Sequence, residues 1–302
     1  MKTTAEMTGF KDRIKRFFGE DAFEWFSKHY IVDWITVAII WAIAFYTKTI
    51  TVTIRDFSPT DPLIQFEHRK NQVSSPFNQF VALLAPSAVV FAVAVLKRSL
   101  MDLHHGIVGL LVTRGLTAAI IRFMKNRIGR LRPDFMSRCQ WDELLKKCTG
   151  KEKDITEGRR SFPSGHSATA WSGMFYLSLF LAGQTAAWCF SSNRLAPRLL
   201  SSRVLRFGIT LVPLIWASHV GLSRMEDNRH HKEDVIVGTF IGILVATICY
   251  SMFWPNPLST KSFAVERFGQ PRYLYDTEAP SRDDRFQFEL APREDHEHSN
   301  AV

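Results

Sequence analysis

Residues 235–254 read VIVGTFIGILVATICYSMFW, twenty residues without a charge among them. As an α-helix that stretch is ~30 Å long, the thickness of a bilayer's hydrocarbon core. It has company. Comparable runs occupy Val204–Leu222, Ala168–Phe190, Leu103–Phe123, Phe80–Leu96 and Trp34–Ile54. The first run in the chain carries Lys48 near one end, where a long stem can snorkel to the interface. The second contains Pro86, and the third and fifth contain Arg114 and Arg206. Six runs in one chain predict an all-α, six-helix transmembrane bundle in place of buried soluble helices. A mean hydropathy near zero then reflects apolar spans diluted by polar loops. Eight Trp and twenty-four Phe, several at run edges, suit aromatic belts at the membrane interfaces.

The charges fall between the runs. Residues 1–30 form an N-terminal segment, 31–255 the six-span domain, and 256–302 a mixed-charge tail read as cytoplasmic and disordered. Met1 to Lys28 lacks a signal-peptide core, so the first span is expected to direct insertion. Lys11, Arg13, Lys15 and Arg16 lie in the N-terminal segment, Lys97 and Arg98 after span two, and Arg194, Arg198 and Arg203 after span four. The positive-inside rule puts all of these in the cytoplasm. The basic loop at 124–167 then lies outside; it is long, and long loops weigh little in that rule. A net charge of +9 without zinc-finger spacing, an aromatic RNA platform or a basic heptad helix excludes a nucleic-acid partner. Four scattered cysteines make no paired zinc site. Cys139 and Cys148 share the 124–167 loop, compatible with a disulfide on an oxidising side and with two free thiols otherwise.

Six-span parity opens the end of span three, the start of four, the end of five and the start of six on one face, and polar clusters stand at those four ends. The first runs from Lys125 to Asp134. Lys125 and Arg132 are seven apart, so both point one way if the helix continues, with Pro133 to stop it. Two cations suit a phosphate dianion, although an ordinary basic flank reads the same way. The second cluster, Ser161-Phe162-Pro163-Ser164-Gly165-His166-Ser167-Ala168, puts a Ser-Gly turn at a helix N-terminus, where free N–H groups bind anions. His166 beside it can protonate a leaving oxygen, or simply sit next to a cap. The third cluster runs from Ser223 to Asp234. His230 and Asp234 share a face if this stretch is helical, and a carboxylate on one ring nitrogen leaves the other free to attack. Arg224 adds a cation. No further carboxylate–histidine set completes a metal site, and no cofactor is expected.

Together these residues resemble the type 2 phosphatidate phosphatase superfamily, the lipid phosphate phosphatases, whose signatures are K-x6-RP, PSGH and SR-x5-H-x3-D. They stand here as Lys125…Arg132-Pro133, Pro163-Ser164-Gly165-His166 and Ser223-Arg224…His230…Asp234. The flanks Arg132-Pro133-Asp134-Phe135, Glu157-Gly158-Arg159-Arg160-Ser161-Phe162 and Asp61-Pro62-Leu63-Ile64 are similar to the eukaryotic branch acting on phosphatidate and diacylglycerol pyrophosphate, and more loosely to fungal members. The resemblance implies His230 as nucleophile, Asp234 as its orienting group and His166 as acid. It implies Lys125, Arg132, Ser164, Gly165 and Arg224 as the phosphate cradle. Asp234 is within helical reach of His231 too, so preferring His230 rests on family spacing. Lys232 and Glu233 are more charged than is usual there, and Arg114 has no counterpart.

The expected protein is a multi-pass, metal-independent membrane phosphatase acting on lipid phosphates through a phosphohistidine, with its site lumenal or extracellular. The compartment stays open between endomembranes (vacuole, endoplasmic reticulum or Golgi) and the plasma membrane, as does the oligomeric state. A lipid phosphotransferase and a catalytically silent lipid-binding scaffold are the alternatives. Relatives of those kinds usually alter the second or third signature, or lose a histidine.

Overall fold

The computed structural model describes residues 12–19, 22–23, 25–190, 201–263 and 268–272. Lys11, Arg194, Arg198 and the tail beyond residue 272 lie outside the described residues. In chain order the elements are α1 (His29–Tyr46), α2 (Ser75–Lys97), α3 (Leu100–Ile128), α4 (Phe135–Cys139), β1 (Trp141–Asp142), β2 (Lys147–Cys148), α5 (Glu152–Gly158), α6 (Gly165–Thr185), α7 (Arg203–Glu226) and α8 (Lys232–Phe253). The two short strands pair antiparallel, Trp141 opposite Cys148, and a Cys139–Cys148 disulfide closes the hairpin onto α4.

Helices α1, α2, α3, α7 and α8 are long and apolar enough to cross a membrane. Helix α6, 21 residues long, is not among them. The reason is its position. Helices α2, α3, α7 and α8 all pack on α6, so its side chains meet protein instead of lipid. Ser167, Ser172 and Ser178 are fully buried there, and Ser178 donates to Thr210 O of α7 at 2.6 Å. The outer helices show the opposite pattern, with Ile35, Ile39 and Ile43 of α1 and Ile236, Phe240 and Leu244 of α8 exposed.

Three local expectations change. The first span was expected over Trp34–Ile54, yet α1 stops at Tyr46. The Thr47 and Thr49 hydroxyls bond back to Ala44 O and Tyr46 O, both at 2.8 Å, competing with helical bonding. The extended chain beyond is held at the end of α3, where Thr53 N donates to Asn126 O at 2.8 Å and Asn126 Nδ2 donates to Thr47 O at 2.8 Å. Second, α3 ends at Ile128 with Gly129 in the left-handed conformation (φ 64°), so Lys125 and Arg132 do not share a helix. Third, the tail from residue 256 is ordered at its beginning: Phe263 is buried against Ala186 and Cys189, and Lys97 Nζ donates to Gly269 O at 2.5 Å. Its apolar residues Phe263 and Phe268 stack on one another and give that segment something to bury.

Small residues let the helices approach. On α8, Gly238 faces the Ser164 backbone and Gly242, one turn on, faces Ala168 and Ser172, so both seat α8 directly on α6. On α6, Gly173 faces the Ala82 backbone of α2, and a Cβ there would stand 3.0 Å from Ala82 Cα. Gly173→Ala should therefore push α2 from α6 and cost ~1–3 kcal/mol, the usual penalty for overpacking. Thermal unfolding of the variant in detergent micelles reads this directly; an unchanged midpoint would show that the two helices separate without cost.

Candidate active site

A cavity of about 520 Å³ opens at the end of the bundle where α3 finishes and α6 and α8 begin. Lys125, Arg132, Gly165, His166, Arg224 and His230 line it, so residues from three separate stretches of chain meet there. Ser164 and Asp234, both fully buried, stand behind that wall. Among the described residues the lining holds nine cationic side chains and a single carboxylate, Glu157. That imbalance decides what the cavity suits, because only an anion offsets it.

Each cation is placed by a group behind it. Arg224, fully buried at the end of α7, donates to Asp227 Oδ2 at 2.7 Å and to Asn71 Oδ1 at 3.2 Å. Arg132 is bonded to Glu157 at 2.5 Å, and its backbone N–H donates to Gly158 O at 2.8 Å. Arg138 and Arg229 share Asp134, at 2.9 and 3.4 Å. Lys125 differs: its Nζ donates to the Arg160 carbonyl at 2.6 Å and, among the described residues, forms no ion pair with a carboxylate. Burial lowers the Arg132 pKa from its usual value while Glu157 opposes that shift. Burial pushes the Glu157 carboxyl upward, yet Arg132 and Lys125 hold it below its ordinary value, so it stays ionised.

Asp234 joins the three clusters. Its Oδ2 accepts from Ser161 Oγ at 2.5 Å and from the His231 backbone N–H at 3.1 Å, and its Oδ1 accepts from Arg130 at 2.8 Å. Its backbone carbonyl accepts from Ser164 N at 2.8 Å, tying α8 to the turn that starts α6. His230 Nδ1 lies 3.6 Å from Asp234 Oδ2, which leaves Nε2 as the nitrogen for the cavity. The pair does not share a helix face, contrary to expectation. Helix α7 ends at Glu226, Asn228 turns the chain at φ 55°, and His230 precedes the cap of α8. Burial lowers the His230 pKa well below 6.5, only partly countered by the bond to Asp234.

His231 is given other work. It caps α8, and its Nε2 lies 3.2 Å from Leu63 O outside the cavity lining. Its Nδ1 lies 3.4 Å from Asp234 Oδ2, nearer than that of His230, so what separates the two histidines is that the 61–64 stretch keeps the His231 ring outside the cavity lining. Ser164 caps α6, accepting from Ser167 N at 3.4 Å, and the His166 carbonyl accepts from Asn78 of α2 at 3.0 Å.

Sequence reasoning missed Ser161, Arg130, Asn71, Asn78, Arg229 and Glu157. Ser161 and Arg130 stood inside quoted clusters, and their signal is legible only once Asp234 is known to face them. His68 was also missed; it lies 2.7 Å from Asp134 at the rim.

Fold and cavity together define an integral-membrane helical protein with a cation-lined pocket at one end of its bundle. The chain belongs to the PAP2 superfamily, whose model matches residues 106–258. It is 31% identical over 254 residues to lipid phosphate phosphatase 2 of Arabidopsis thaliana, covering 81% of this chain and 84% of that one. It is 36% identical over 236 residues to lipid phosphate phosphatase 1 of the same plant, covering 74% and 68%. It is 31% identical over 221 residues to diacylglycerol pyrophosphate phosphatase 1 of Saccharomyces cerevisiae, covering 69% and 73%. No solved structure matches the chain.

The geometry around Asp234 yields a test. Removing the Ser161 hydroxyl deletes one bond to a charged group, worth ~1.5–3 kcal/mol. If all of that falls on orientation, Ser161→Ala lowers kcat ~10- to 100-fold with KM little changed. A variant that raises KM at constant kcat would place Ser161 in ligand binding instead.

Proposed function

We propose that this protein is a metal-independent lipid phosphate phosphatase, hydrolysing phosphate monoesters or pyrophosphates of membrane lipids through a phosphohistidine. The observation that carries the reading is one cavity lined by His230, His166 and nine cations against one carboxylate, with Asp234 directly behind His230. The names of the relatives, lipid phosphate and diacylglycerol pyrophosphate phosphatases, support the same chemistry.

In the proposed mechanism Lys125, Arg132, Arg224 and the N–H of Gly165, in the turn that Ser164 caps, hold the phosphoryl oxygens and stabilise the charge spread over them in flight. His230 Nε2 attacks phosphorus, the N–P bond forms, and the bond to the leaving oxygen breaks. That oxygen takes a proton from His166. A water then gives a proton back to His166 as it attacks the phosphohistidine, the N–P bond breaks, and phosphate leaves. Asp234 keeps the Nδ1 side of His230 oriented and stabilises its positive charge in the intermediate.

Helix α6 serves as the sixth span in this reading, supported by its length and its place at the centre of the other five. The cavity faces the lumen or the exterior. The Cys139–Cys148 disulfide beside the cavity supports that side, since such bonds persist in oxidising compartments. Lys97 and Arg98, at the far end of α2, support the cytoplasmic placement of the opposite face.

Purified protein in mixed micelles should release phosphate from phosphatidate, lysophosphatidate or diacylglycerol pyrophosphate with chelator present, and His230→Ala should abolish it. Turnover by folded His230→Ala protein, or its loss on chelation in the wild type, would refute the mechanism. A pH profile tests the nucleophile separately. Burial holds His230 below 6.5, so the neutral form persists as pH falls through the ordinary histidine range. The acid limb of kcat/KM, corrected for substrate ionisation, should therefore centre below 6.5. A limb centred above that value would show that His230 is not desolvated in the working enzyme.

A further inference from the structure

The cavity does not stop at the phosphate-binding end. It continues toward the middle of the bundle along one stripe of α3, past Lys125, Arg122, Ile121, Ala118, Thr117 and Arg114. Arg114 lies near the centre of the 29-residue helix and is 4% exposed. Its Nη1 donates to Thr169 O at 3.0 Å and to Ser172 Oγ at 2.7 Å, both on α6. Nε and Nη2 have no protein acceptor among the described residues, and no carboxylate pairs with the guanidinium. A charge at membrane depth is costly and is found facing a bundle interior with partners to satisfy it. Two bonds from one nitrogen leave most of a five-donor fork unused. The unused side lines the cavity.

Depth decides which acceptor it meets. Thr169 and Ser172 follow His166 by three and six residues, so the guanidinium sits ~5–9 Å below His166 along α6. In the reading above, phosphorus lies at the level of His166. From phosphorus to the first ester carbonyl of a diacylglycerol phosphate is five bonds, roughly 6–7 Å when extended at ~1.5 Å a bond. The second phosphorus of a pyrophosphate is only one bridging oxygen away, too close to reach Arg114. The hydrocarbon beyond the ester carries no acceptor at all. We infer that Arg114 is a specificity-determining residue that binds the ester carbonyl oxygens of a diacylglycerol-based lipid phosphate. This rests on the lipid phosphatase reading and names its substrate class: glycerolipids whose chains are joined through esters. Thr117, one turn from Arg114 and also on the cavity wall, adds a hydroxyl with no protein partner.

The experiment compares dioleoyl phosphatidate with its dialkyl ether analogue, which has the same headgroup and chains but no carbonyls. Both are presented to the full-length protein in mixed micelles, and kcat/KM is read from phosphate release. Wild type should favour the ester ~10-fold or more, the size of a charged hydrogen bond. Arg114→Gln and Arg114→Met should collapse that ratio toward one by lowering the ester rate, and Arg114→Lys should keep part of it. Inhibition by orthophosphate, retained in each variant, reports that the pocket above is still folded. Equal ester and ether rates in the wild type overturn the inference without any variant. A variant that lowers both rates by one factor also overturns it, leaving Arg114 as a staple between α3 and α6. Release from neither lipid in wild type refutes the phosphatase reading itself, and the inference falls with it.

Discussion

The Asp234 carboxylate is the point on which the site depends. It is fully buried, and it receives donors from two other stretches of chain as well as its own turn: Arg130 after α3, Ser161 before α6, and the His231 backbone beside it. Its own carbonyl holds Ser164, so the same residue anchors the turn that puts Gly165 on the cavity wall. A buried carboxylate with fewer donors would carry a large desolvation cost. With three donors and a facing imidazole it becomes a joint. The three clusters therefore form a single site, since displacing any one of them leaves this charge unsatisfied.

The same logic orders the cations. Asp134, Asp227 and Glu157 each sit against arginines at the cavity and lock their guanidinium forks by short bonds. Asp134 and Asp227 do so from outside the lining, so the field inside stays positive while the geometry is fixed. Preorganised donors of this kind need no rearrangement when charge develops on a ligand.

What the sequence disclosed was periodicity and spacing. Long apolar runs marked five helices that can span a membrane, and residues at or beside the ends of α3, α6, α7 and α8 line one cavity. Local backbone was less legible. Lys125 to Arg132, and His230 to Asp234, were spaced as if on helices, yet Gly129 and Asn228 break both stretches with left-handed turns. The residues meet anyway, because loops pinned by Gly158 O and by the α8 cap deliver them. Helix α6 falls short of the apolarity of the other five for a different reason. A helix surrounded by helices needs no lipid-facing apolar surface, and its serines are satisfied by neighbouring carbonyls. Ser161 was invisible because its partner lies 73 residues away.

Helix α6 also explains how a polar cavity survives inside an apolar bundle. It begins with the cap at Ser164 and continues through Thr169 and Ser172, so its upper half is a polar wall facing α3. Its lower half, from Tyr176 to Phe180, joins the apolar core with Val108, Leu110 and Tyr250. The change of character along one helix sets the depth to which water and headgroups can enter. Arg114 stands at that boundary, bonded to the last polar turn of α6. Below it, packing of Val108 and Leu110 against Phe180 closes the bundle. A ligand in the cavity therefore meets cations along its length and hydrocarbon at its end, the order in which a lipid phosphate presents headgroup, esters and tails.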